Sequence, residues 1–151
     1  MRLLSQVSLF FGLFAQLHLA HAACGAYGNG QPPCETPFDV GKIEHVVIDT
    51  NWKATNVNRG EVDCYAWRQM TVEDVTNYLK KAGRITKHAY VKGDLSACDA
   101  TGTLTTGKGR KARWFIGMDG EGGLEWTDSQ HGVYLYCSRC GGLVDRKDRK
   151  P

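Results

Sequence analysis

Beyond Leu19 this chain has no apolar run approaching the ~18 residues of a membrane-spanning helix, no internal repeat and no domain-sized linker. It also lacks a dominant sign of charge. Nineteen Lys and Arg (19) face 16 Asp and Glu, a formal net charge of +3, and so even a balance singles out no class of partner. Nor is there a complete nucleotide motif. Gly102-Thr-Leu-Thr-Thr-Gly-Lys-Gly109 stops one residue short of a phosphate-binding loop, because Gly109 stands where Ser or Thr must hold Mg²⁺. The residues that follow, Arg110-Lys-Ala-Arg-Trp-Phe-Ile116, read as a strand. A phosphate loop opens a helix instead, whose N-terminal amides gather the phosphate. The segment is expected to be a hairpin loop, and the chain to bind no nucleotide, cofactor or metal.

What is present begins with a secretory signal. Met1-Arg2 is a short positive start, Leu3–Leu19 is mostly apolar, and Ala20-His21-Ala22 is a small-residue cleavage site. A retained anchor is the competing reading. Ser5, Gln6, Ser8, Gly12, Gln16 and His18 interrupt the run, and with the A-x-A exit they favour cleavage after Ala22. A lipid anchor on Cys24 is disfavoured because His21 occupies the position that wants Leu. The expected organisation is a signal peptide over 1–22, one α+β domain over 23–144, and a charged, mobile tail over 145–151. The protein is accordingly read as periplasmic or secreted.

All six cysteines, Cys24, Cys34, Cys64, Cys98, Cys137 and Cys140, follow that cleavage site. An even number in an exported chain implies a disulfide framework. The Gly/Pro/Asn-rich loop between Cys24 and Cys34 can close on itself, so a Cys24–Cys34 bridge is expected. Cys64 and Cys98 are then expected each to meet one member of the Cys137/Cys140 pair. Thioredoxin-like spacing in Cys137-Ser-Arg-Cys140 raises a redox alternative, and zinc a third, which needs two further ligands. The exported compartment favours structural bridges.

The most legible element is a helix within Met70–Arg84. Thr71 is a good N-cap and Asp74 can complete a capping box. Met70 and Val75 can form a hydrophobic staple, and Gly83 offers a left-handed stop. Val72, Val75, Leu79 and Ala82, flanked by Tyr78, make one apolar stripe. Strands are expected over Lys42–Asp49, with a further extended piece at Trp52, and over Ile85–Lys92 and Ala97–Thr106. Arg113–Met118 and Gly123–Thr127 flank Asp119-Gly-Glu-Gly, a hairpin signal. Gly132–Cys137, apolar or aromatic on both faces, belongs inside the sheet. The fold class expected is α+β: one amphipathic helix packed on a twisted antiparallel β-sheet, stabilised by disulfides, with Val72, Val75 and Leu79 against Ile116, Val133 and Leu135.

Several patterns invite an activity. His45, His88 and His131, with Glu125 and Arg113, are chemically sufficient for an acid–base site of the kind small secreted ribonucleases use, although no spacing joins them. Asp128-Ser-Gln-His131 puts triad residue types side by side, which a triad assembled from separate elements does not require. Asp119-Gly-Glu-Gly-Gly-Leu-Glu125 lacks the spacing of a calcium loop. Lys108, Arg110, Lys111 and Arg113 form a basic loop running into Trp114, a contact surface for an acidic protein or an anionic envelope component if Trp114 is exposed. In general type, an exported, cysteine-bridged α+β domain without a catalytic motif resembles periplasmic inhibitor and immunity proteins, a likeness of architecture and compartment alone. The expectation is a protein-binding module, possible forms being an inhibitor or an immunity protein. A small hydrolase using His, Glu and Arg is the alternative, and a CxxC thiol oxidoreductase a third.

Overall fold

The computed structural model describes residues 32–54, 63–64, 68–93 and 96–140. The expected signal peptide, Cys24, residues 55–62 and the 145–151 tail lie outside the described residues. The elements are β1 (Ile43–Ala54), α1 (Val72–Lys81), β2 (Gly83–Ile85), α2 (Lys87–Lys92), β3 (Cys98–Thr106), β4 (Lys111–Gly117), β5 (Glu121–Trp126) and β6 (Gly132–Tyr136). The six strands form one antiparallel sheet in the order β1-β3-β4-β5-β6-β2. Among the described residues the protein is therefore mainly sheet with two short helices, α+β in the loose sense.

The middle of the sheet is a meander, β3 to β6, closed by tight turns that the local chemistry dictates. In the β3–β4 turn Gly109 takes φ +74°, and its N–H donates to Thr106 O at 2.8 Å. In the β4–β5 turn Gly120 takes φ +91° and donates to Gly117 O at 3.2 Å. Both glycines supply the left-handed backbone such turns need. β6 lies between β5 and β2, inside the sheet as its composition implied.

Side chains alternate between two faces. Cys98, Ala100 and Leu104 of β3, Ala112, Trp114 and Ile116 of β4, Leu124 of β5 and Leu135 of β6 are all buried on the inner face. Burying each large member contributes roughly 1.5–3 kcal/mol. β1 bends to follow this core. Its register shifts between Thr50 and Lys53, and Trp52 there is fully buried with φ +51°. A bulky residue in the left-handed region is strained by about 1–3 kcal/mol. The surroundings hold it: Trp52 Nε1 donates to Arg68 O at 2.7 Å, and Asn51 pairs through its amide with both Met70 N and Met70 O, at 3.0 and 2.9 Å.

α1 starts as its sequence predicts. Asp74 N donates to Thr71 Oγ1 at 3.2 Å, and Thr71 N donates back to Asp74 Oδ2 at 2.8 Å. Arg68 adds a bidentate pair to Asp74, at 2.9 and 3.0 Å. That hydrogen-bonded cation, with the cap, lowers the Asp74 carboxyl to about 2. Two details differ from expectation. Val72 is 50% exposed, because it sits in the capping turn with the exposed Thr71 and Glu73, whereas Tyr78 is fully buried beside Val75 and Leu79. The helix also ends without a left-handed residue: Ala82 is extended and Gly83 already belongs to β2.

The strand expected over Ile85–Lys92 is a correction. Only Gly83–Ile85 is extended, and Lys87–Lys92 is the helix α2. Thr86 explains the switch, since its side chain accepts from Ala89 N at 3.0 Å as an N-cap.

The disulfides are a second correction. Cys64 pairs with Cys98 and Cys137 with Cys140, in place of a cross-pairing among the four. The strand order gives the reason: Cys98 opens β3 while Cys137 follows β6, and β4 and β5 lie between them. Cys34 is disulfide-bonded as well. Two bridges among the described residues point to an oxidising environment. No described helix is long and apolar enough to cross a membrane.

Candidate functional site

The outer face of the sheet carries the chemistry. Cross-strand register sets Thr101, Phe115, Gly123, Tyr134 and Ile85 in one row, and Thr103, Arg113, Glu125 and Gly132 in the next. Gly123 is what flattens the first row. A Cβ there would lie 2.6 Å from the Phe115 ring, so only glycine lets that ring lie down across β5. Tyr90 of α2 then stacks on Tyr134 at 4.6 Å between centroids and meets Phe115 edge-on at 5.8 Å. These half-buried rings form an aromatic platform.

Beside the platform is an open groove of 580 Å³ whose lining includes Asp49, Thr101, Arg113, Phe115, Glu125 and Tyr134. Arg113 and Glu125 face each other across β4 and β5 at 3.4 Å, and both are largely exposed. The groove thus combines an apolar floor with donors and acceptors of both signs at its rim.

At the other end of the same face two carboxylates lie close together. Glu121 is buried over Gly117, which has no side chain to exclude it, and Gly117 is the cross-strand neighbour of Asp99. Glu121 Oε1 accepts from Ser96 N at 2.5 Å, while Oε2 is buried with no hydrogen-bond partner among the described residues. Burial raises the Glu121 pKa. Burial, and then the charge of Glu121, push Asp99 up to about 6. Burial and these carboxylates also push Tyr90 up to about 12. Both shifts have the same sign, because burial and like charge each disfavour a carboxylate. No group of three or more His, Cys, Asp or Glu is placed to hold a metal ion among the described residues.

The basic loop divides between the two faces. Arg110 makes a bidentate pair with Asp128, at 2.9 and 3.1 Å, and lies 4.0 Å above the Trp126 ring. With Lys108 it lines a second groove of 470 Å³ that includes Lys42, Glu44 and Trp126. Lys111 and Arg113 are exposed on the outer face. Trp114 is the correction: it is buried in the core, its Nε1 donating to Thr103 O at 3.1 Å, because alternation along β4 turns it away from Arg113. It is no surface anchor. The aromatics that do face the groove, Phe115 and Tyr134, were legible from that same alternation, whereas Tyr90 was hidden by the misread helix.

The three histidines stand on separate elements, His131 next to Gly132, the cross-strand partner of Glu125. His45 is on edge strand β1 and His131 precedes β6, four inter-strand steps or about 19 Å apart. His88 is exposed on α2, and none of the three lines the groove. Asp128, of the triad-like tetrapeptide, is engaged by Arg110. No protein-family model matches this chain, and no curated protein or solved structure matches it either.

Proposed function

We propose that this is an exported, disulfide-stabilised binding module that recognises a protein partner through the outer face of its sheet, in the manner of an inhibitor or immunity protein. The observation that carries the reading is the groove itself. An aromatic floor of Phe115 and Tyr134 sits under an exposed Arg113–Glu125 pair, offering an anchor and a charged rim together. Lys111 and Arg113 extend that rim toward an acidic partner or an anionic envelope component. In this reading the chain works in the periplasm or outside the cell, and α1 is the amphipathic cover of the inner face.

The test is capture from envelope extract with the wild-type protein and with Arg113→Glu and Tyr134→Ala variants shown to be folded by near-UV circular dichroism. One saturable partner, held by the wild type and weakened at least about tenfold by either variant, is the expected result. A partner held equally by all three proteins places recognition elsewhere and overturns the reading, and so does the absence of any saturable partner.

A further inference from the structure

We propose that Cys137 and Cys140 form an exchangeable disulfide that accepts two electrons from a dithiol substrate. The two bridges among the described residues are unlike. Cys64–Cys98 joins residues 34 apart, and both are essentially buried, at 3% and 0% exposed. Closing so long a loop restricts the unfolded chain strongly. Cys137–Cys140 joins residues only 3 apart, and the same reasoning makes its restriction of the unfolded chain small. Little stability depends on it.

The turn that carries it is held by other bonds. Cys137 N donates to Gly120 O at 2.9 Å, and Cys140 N donates to Cys137 O at 3.4 Å. Between the cysteines, Ser138 N donates to Glu35 Oε1 at 3.0 Å, and the other oxygen of Glu35 accepts from Gly83 N at 3.2 Å. Arg139 Nη2 reaches Lys81 O at 3.5 Å. Opening the S–S bond therefore leaves the backbone tied to β2, α1 and the β4–β5 turn.

Exposure decides the direction of attack. Cys137 is 5% exposed, while Cys140 is only partly buried. A thiolate of the dithiol attacks Cys140 Sγ and forms a mixed disulfide. The S–S bond breaks with its electron pair on Cys137 Sγ, which takes up a proton. The second thiol of the substrate then gives up its proton and attacks its own sulfur in the mixed disulfide, releasing Cys140 as a thiolate that is protonated in turn. The substrate leaves as a disulfide, and two electrons and two protons have passed to this chain.

The oxidised protein is titrated with dithiothreitol at pH 8, quenched by alkylation at intervals and mapped by mass spectrometry. Cys137 and Cys140 are expected to label at least about tenfold faster than Cys64 and Cys98, with the near-UV circular dichroism unchanged. A Cys137→Ser chain is expected to form a mixed disulfide with oxidised glutathione through Cys140 at least about tenfold faster than a Cys140→Ser chain does through Cys137. Equal labelling of the two bridges, loss of the near-UV signal as Cys137–Cys140 opens, or failure of either single variant to fold overturns the proposal.

Discussion

The two faces of this sheet are written in alternate residues of the same strands, yet they obey different rules. Trp114, Ile116, Leu124 and Leu135 on the inner face are at most 2% exposed. One residue away along each strand stand Arg113, Phe115, Gly123, Glu125 and Tyr134, half-buried or exposed apart from the glycine. The outer face also keeps the buried Glu121 with an unpartnered oxygen and Asp99 with its carboxyl held up to about 6. A buried carboxylate oxygen without a partner among the described residues costs stability. The contrast teaches that stability resides on one side of the sheet, and that the other side tolerates unfavourable electrostatics in return for a polar, aromatic surface.

The largest effect that separates the faces is expected from truncating the inner one. Ile116→Ala should lower the unfolding free energy by about 2–5 kcal/mol, with an unchanged urea dependence, because a fully buried branched side chain leaves a cavity. Equilibrium urea denaturation measures this. A loss under ~1 kcal/mol would mean that the inner face is not the main core.

Next in size is an opposed pH dependence. Asp99 has a folded pKa near 6, raised above its ordinary 3.8. Between these values the folded state binds the proton more tightly than the unfolded chain, so Asp99 costs stability above pH 6 and that cost is relieved as pH falls from about 6 to about 4. Asp99→Asn should remove this dependence and stabilise the protein at pH 7 by about 1–2 kcal/mol, allowing for solvent screening. Asp74 behaves in the opposite sense. Its folded pKa near 2 lies below 3.8, so its contribution is present above about pH 4 and is lost as pH falls through 2. Thermal melts of the wild type, Asp99→Asn and Asp74→Ala from pH 2 to 8 check both signs. An Asp99→Asn melt parallel to wild type between pH 4 and 7 would rule out a raised Asp99 carboxyl on the outer face.

The smallest stability effect belongs to the groove rim. Arg113→Ala removes an exposed 3.4 Å pair and should change stability by less than about 0.5 kcal/mol. If thermal denaturation shows a loss above ~1.5 kcal/mol, Arg113 is part of the structural framework and the division between the faces fails.

Much of this was readable before the coordinates. The Thr71–Asp74 cap, the turns at Gly109 and Gly120, and the interior place of β6 are local matters, set by a few neighbouring residues whose hydrogen bonds and backbone preferences act over one turn. Lys87–Lys92 is not legible as a helix from its own six residues, which satisfy helix and strand patterns about equally; the Thr86 cap decides between them. Trp114 was misplaced for a different reason: basic neighbours on both sides in sequence say nothing about which way a strand residue points. The Cys64–Cys98 pairing could not be read at all, because six cysteines admit many partners and only strand order brings two together.

By itself, then, the sequence determined the short-range parts of this protein: the capped helix, the glycine turns, the alternating strands and the even set of cysteines suited to an oxidising compartment. Tertiary structure alone decided which faces those strands share. Register across β3, β4, β5 and β6 laid Phe115 over Gly123 and brought Glu125 to Arg113, set Glu121 beside Asp99, and kept His45 away from His131. The physical reason is range. A cap or a turn is settled by atoms within a few bonds of one another along the chain, whereas a site on a sheet is assembled by pairings between distant residues, whose energy belongs to the whole core.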